Sequence, residues 1–301
     1  MRNEHVPVDH DGKEATLDAS GALKDSVSMM KTVVSYAGWI SRAHPQSSKG
    51  RINVDDIDIF FRRFGSGKPV LLLHGGFMFA ETWAGQIPAL SSGHLLFAPD
   101  LRGHGRTTLG KRPMTYRQLA DDSLGLIEAL ETGPAHVVGW SDGGCTALGM
   151  AIKRPDLVRS ITLLGTPWNV SNYSEKTLHD LDTMTNPMMP ATMVFMMVRR
   201  LLTPEHYRGR EFLTALRKMW LDTLDFTIEE LHGIETPALV IATDHDQFLS
   251  EEPDPLKMFR ESAEAIPAAE MAVVPGGTHL VHIARPDAVN PIIMDFLNRV
   301  G

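Results

Sequence analysis

An α/β fold, a mostly parallel sheet with helices on both faces, is the class that this chain of 301 residues predicts. Three observations predict it. Short, wholly apolar runs recur along the chain and end in glycine, proline or aspartate, as strands buried on both faces do. Helical patterns alternate with them, which is the signature of a mostly parallel sheet. One interval, residues 168–235, interrupts the rhythm with helical patterns alone and reads as a helical lid inserted in the core.

Taken in order, residues 1–17 are polar. In "ALKDSVSMMKTVVSYAGWISR", Leu23, Val27, Met30, Val34 and Ala37 recur at alternating spacings of four and three, one face of an amphipathic helix. "HPQSSKG" (44–50) has the composition of a linker, so residues 1–50 form an N-terminal helical extension. That helix is expected to pack on its own domain or, failing that, to make a homo-oligomer contact. "INVDDIDIFFRRFGSGK" reads as two strands around Asp55-Asp56, and "PVLLLHGG" and "HLLFAPDLRGHGR" as strands running into glycine- and aspartate-bearing loops. "YRQLADDSLGLIEALE" follows as a helix, then a strand at 135–139, a helix from Cys145 to Lys153 and the strand "RSITLLGTP". Beyond the lid come "PALVIATDHD", the helical "PLKMFRESAEAI", the strand "MAVVPGGTH" and a closing helix, "DAVNPIIMDFLNRV". The core is therefore 51–167 with 236–301. An insertion between two parallel strands sits over their C-terminal ends, where open α/β sheets bind ligands.

The totals exclude several functions. A formal net charge of −8 argues against nucleic acid, whose phosphates demand a basic face. The single cysteine, Cys145, cannot form an internal disulfide and reads as a small buried apolar residue. The first fifteen residues carry Glu4, Asp9, Asp11 and Glu14 and lack the apolar core of a secretory signal. Apolar stretches such as "VVSYAGWI" and "MVFMMV" are too short to span a bilayer. The 20–42 helix mixes Lys24 and Lys31 with Asp25, without the basic cluster of a membrane anchor. A cytoplasmic location is the expectation.

The chemistry centres on Gly139-Trp-Ser-Asp-Gly143, set between a strand and a helix. Small residues on both sides let Ser141 sit in a strained strand-to-helix turn with its hydroxyl exposed above the sheet. A hydroxyl needs a base to take its proton, and the base needs an orienting carboxylate. His279, after a late strand and two glycines, supplies the base; His282 reads as a packing or pocket residue. Asp244 and Asp246 both follow "LVIAT". The few residues a side chain needs to turn towards the histidine favour Asp246, with Asp244 as the fallback. A metal site at Asp-His-Asp is disfavoured, because adjacent residues seldom converge on one ion.

Gly139-Trp-Ser-Asp-Gly143, His74-Gly-Gly-Phe77, Asp100-Leu-Arg-Gly-His-Gly105, Asp246 and Gly277-Thr-His279 together resemble the α/β-hydrolase fold superfamily over roughly residues 52–301. The chain order Ser…Asp…His is the superfamily's own. "WSDGG" also has a local likeness to amino-ester hydrolases of the valacyclovir-hydrolase type. The resemblance implies a serine hydrolase that cleaves a small-molecule carboxylic ester, lipophilic as one option, through an acyl-enzyme, with no cofactor or metal. It implies an oxyanion hole from the backbone N–H groups of Gly76 and Asp142. His74 is expected to be structural and His104 to have no chemical role. Arg106-Thr107 stands where many relatives place a serine. Epoxide hydrolases and haloalkane dehalogenases of this fold use an aspartate nucleophile, so Ser141 excludes both. Phe77, at the mouth, and Trp168, at the lid hinge, are the expected substrate-binding residues. Two readings stand for the Asp142 side chain, pairing with a substrate ammonium or favouring the positive helix end. Two also stand for "MTNPMMPATMVFMM", plain packing or an adaptable apolar surface. C–C bond hydrolase, lactonase, perhydrolase or haloperoxidase-like enzyme and hydrolase-fold receptor are the rival functions.

Overall fold

The structure, a computed structural model, describes residues 47–301. The expected helix at 20–42, and any oligomer contact through it, lies outside the described residues. Eight strands form one sheet in the order β1-β2-β4-β3-β5-β6-β7-β8. They are β1 (Ser48–Val54), β2 (Ile57–Phe64), β3 (Lys68–Leu73), β4 (His94–Pro99), β5 (Ala135–Trp140), β6 (Val158–Leu164), β7 (Ala238–Thr243) and β8 (Ala269–Val274). β1 and β2 pair antiparallel, β2 meets β4 antiparallel, and every other pairing is parallel. Central strands β5 and β7 are buried at every residue, which is why their sequences are continuous apolar runs. Edge strand β1 alternates between half-buried and exposed. That alternation hid its start: Ser48–Gly50, expected as linker, already pairs with Phe61–Arg63 of β2. A polar stretch can be an edge strand because only one of its faces meets the core.

Helices α1 (Tyr116–Leu130) and α2 (Asp142–Lys153) pack on the sheet and on each other. Thr115 caps α1 by accepting the Gln118 N–H. α2 begins at Asp142 rather than Cys145, directly after Ser141, because the Ser141 carbonyl accepts the Gly144 and Cys145 N–H groups.

Between β6 and β7 the described chain holds helices α3 (Glu175–Met184), α4 (Pro190–Leu202), α5 (Gly209–Asp222) and α6 (Ile228–His232). Ser174 caps α3, proline opens α4, and a Thr227–Glu230 capping box starts α6. The one β pairing in this stretch is an isolated antiparallel bridge, Asn169 to Asp225. With the Val170 to Leu224 and Phe226 to Trp168 backbone bonds, it closes the neck where the chain leaves and rejoins the sheet. Helices α7 (Lys257–Ala265) and α8 (Pro286–Val300) complete the chain.

The loop after β4 is a buried ionic knot, in keeping with a structural turn. Asp100 accepts the backbone N–H groups of Ala80 and Arg106, each at 2.7 Å. Arg106 also binds Glu81, while the fully buried Arg102 bridges Asp122 and Asp56. These guanidinium–carboxylate pairs compensate one another, as buried charges must. No helix among the described residues is long and apolar enough to cross a membrane.

Candidate active site

Ser141 takes φ 55° and ψ −120°, a backbone conformation that a residue with a side chain adopts only when its surroundings impose it. Strand β5 imposes it from one side, with the Ser141 N–H bonded to Leu164 O of β6 at 2.9 Å, and α2 from the other. The turn closes only because position 143 is glycine: a Cβ there would collide with the Leu73 carbonyl of β3.

His279 and Asp246, which follow β8 and β7, meet at 2.8 Å between Nδ1 and Oδ2, both buried. The other Asp246 oxygen accepts the Phe248 N–H at 3.0 Å, so one oxygen shapes the loop and the second holds the imidazole. The His279 backbone is fixed by Trp140 Nε1 on its carbonyl at 2.7 Å, and Phe248 stands edge-on to its ring. Asp244 is turned away, accepting the Gly276 N–H and contacting the exposed His245. Asp246 is therefore the partner of His279. His282 packs between Trp83 and Trp140, and burial pushes its imidazole down to about 3, so it is a neutral packing residue.

Ser141, His279, Gly76, Phe77 and Asp142 line one cavity of about 310 Å³. Its walls come from the C-terminal ends of β3, β5, β6, β7 and β8 and from helices α3, α4 and α5. Gly76 and Asp142 are side by side: a Cβ on Gly76 would lie 2.8 Å from Asp142 Oδ2 and would collide with Trp220. The loop carrying Gly76 is held by His74, whose Nε2 accepts the Leu101 N–H at 2.9 Å. Its Nδ1 therefore donates to Gly75 O, and His74 is structural, as expected. His104 is buried against His74 and Phe212 and is not part of the cavity lining.

Phe77 also has a positive φ, 62°, and stacks on Phe195 of α4 with ring centroids 5.0 Å apart. Trp168 does not line the cavity, contrary to expectation. It is half-buried against the core while its backbone serves the neck of the insertion, and its neighbour Pro167 faces the cavity instead. A bulky residue at a hinge can turn to either side, and here Trp168 packs against the core away from the cavity lining.

The Asp142 side chain follows neither expectation alone. It is buried, accepting the Tyr116 hydroxyl at 2.9 Å and Trp220 Nε1 at 2.9 and 3.0 Å. Burial raises its carboxyl to about 6, although Trp220, Tyr116 and the nearby His279 all pull the other way. Trp220 of α5 thus ties the insertion to the turn bearing Ser141. Tyr173, Gln247 and Phe248 also line the cavity and were missed in the sequence. The only signal for the last two was their position directly after Asp246.

A strained serine turn and a histidine–carboxylate pair at the C-terminal ends of a mostly parallel sheet define the α/β-hydrolase class. The alpha/beta hydrolase family matches residues 70–292, and the chain belongs to it. The chain is 24% identical to pyrrolizixenacetamide deacetylase of Xenorhabdus hominickii, over 82% of this chain and 97% of the relative. The meta-cleavage product hydrolase CumD of Pseudomonas fluorescens IP01 superposes with a TM-score of 0.66 at 25% identity, covering 81% of this chain and 96% of CumD. The enol-lactonase of Burkholderia xenovorans LB400 gives 0.64 at 25% identity, covering 83% of this chain and all 100% of the lactonase. By family and fold the chain is a hydrolase.

Proposed function

We propose that the chain cleaves carboxylic esters through an acyl-enzyme, with Ser141 as nucleophile, His279 as base and then acid, and Asp246 as orienter. The observation that carries this reading is the Asp246–His279 hydrogen bond opening on the same cavity as the strained Ser141 turn. Because Asp246 accepts the Nδ1 proton, Nε2 is the nitrogen left to take the proton of the serine hydroxyl. Ser141 Oγ attacks the ester carbonyl, and the tetrahedral oxyanion receives the backbone N–H groups of Gly76 and Asp142, the latter at the N-terminus of α2. As the intermediate collapses, the C–O bond to the alcohol breaks and His279 protonates the leaving oxygen. Water, deprotonated by His279, then releases the acid and restores the serine. Helices α3 to α5 act as the lid, and the Leu181, Met184 and Phe195 walls favour a lipophilic acyl group.

Hydrolysis of p-nitrophenyl esters from acetyl to long acyl, by wild type and Ser141→Ala, tests this. Removing the nucleophile is expected to lower kcat by about 10⁴-fold or more, with the wild type following a chain-length profile set by the cavity. Comparable rates in the two proteins would overturn the serine's role. A wild type inert across the panel would shift the reading to lactone or C–C bond cleavage.

A further inference from the structure

We infer that the cavity admits neutral acyl groups and rejects those bearing a carboxylate, with the Asp142 side chain as the specificity-determining group. The inference rests on the reading that this cavity is the substrate site. Among the described residues, no lysine or arginine lines it. Of its described lining residues only Asp142 carries a carboxyl and only His279 an imidazole, and His279 is backed by the buried Asp246. Asp142 has no lysine or arginine among its hydrogen-bond partners, which are the neutral donors Tyr116 and Trp220. A carboxylate entering this space would lose its water and meet two buried negative groups.

The guanidinium that could have reversed this preference is engaged elsewhere. Arg199 of α4 is buried, donating to Gly103 O at 2.9 Å and lying over the Phe212 ring at 4.4 Å, and it does not line the cavity. The positive end of α2 is directed at the oxyanion position. What remains for the rest of the acyl chain is apolar, with Met78, Leu181, Met184, Phe195 and Leu249 on the walls. Burial sets the Asp142 carboxyl at about 6, so at pH 8 it is ionised and the filter is in force.

The test compares p-nitrophenyl butyrate with mono-p-nitrophenyl glutarate at pH 8, an acyl pair that differs chiefly by one terminal carboxylate. Wild type is expected to favour the neutral ester by at least about tenfold in kcat/KM. Asp142→Asn keeps the backbone N–H and is expected to shrink that ratio about fivefold or more, through KM for the anionic ester. Equal rates on the two esters, or a preference for glutarate, would overturn the inference. An unchanged ratio in a folded Asp142→Asn protein would remove Asp142 from it.

Direct binding supplies a readout that needs no turnover and no variant. Quenching of wild-type tryptophan fluorescence is titrated with 4-phenylbutyramide and 4-phenylbutyrate, since Trp140 and Trp220 both line the cavity. Tighter binding of the amide by about tenfold supports the filter, and equal or tighter binding of the carboxylate refutes it. Inert esters combined with amide selectivity would mean that the ester reading fails while the charge filter stands.

Discussion

A carboxylate held between a phenol and an indole destabilises the protein that buries it, and burial raises the Asp142 carboxyl accordingly. Its ordinary value is 3.8 and its folded value about 6. Between these the native state keeps a proton that the unfolded chain releases, so stability falls as pH rises through that window. Above it the penalty amounts to about 3 kcal/mol. The groups facing it are Tyr116, Trp220 and His279, with Cys145 and Tyr173 further off and neutral across the window. Asp142→Asn removes the titration, so its melting temperature relative to wild type should rise between pH 4 and pH 8. A pH-independent difference would show that the carboxyl is not shifted. At this scale Ser141, His279 and Asp246 were legible because each follows a strand pattern at motif spacing. The Trp220–Asp142 contact was not, because it joins residues 78 positions apart with no shared pattern.

The cavity concentrates backbone strain in two of its loops, at the positive φ of Ser141 between β5 and α2 and at that of Phe77 in the loop after β3. Rigid elements on both sides hold them, so the strain persists without relaxing the site. Gly143→Ala is expected to destabilise the protein by more than about 3 kcal/mol, because the new methyl would strike backbone rather than a movable side chain. Urea unfolding measures it, and a midpoint within error of wild type would mean that the turn can shift. The same scale shows why element boundaries were only partly readable. The helix after Ser141 seemed to begin at Cys145 because glycines at 143 and 144 look like turn, yet they lie in its first turn, after Asp142. The first residues of β1, Ser48–Gly50, looked like linker because an edge strand needs no continuous apolar run.

Across the whole molecule, several histidines are buried as neutral rings. Burial lowers His74 and His104, takes His136 to about 4 and takes His282 to about 3. The unfolded chain protonates such rings as pH drops below about 6.5 while the folded protein does not, so acid favours unfolding. Each contributes a slope of up to about 1.4 kcal/mol per pH unit below that point and nothing well above it. Asp142 opposes this only between 3.8 and about 6. Stability measured by urea should therefore fall steeply from pH 7 to pH 5, and His282→Phe should flatten the slope. A level profile would show that these rings are hydrated or paired. The parallel sheet, its strand sequence and the helical insertion could be read from periodicity alone. The order in which strands pair could not, nor which insertion residues face the cavity, because both depend on how separate elements dock.

Cys145, one helical turn beyond Ser141, is the only thiol in the chain, and it is buried with its Sγ against Pro167 O at 3.1 Å. Its burial holds the thiol well above its usual range, so it stays unreactive while the turn is closed. Alkylation by a thiol-selective reagent therefore records an opening, local or global, that frees this helix start. The wild-type chain carries its own clock for how often the support of the Ser141 turn comes apart.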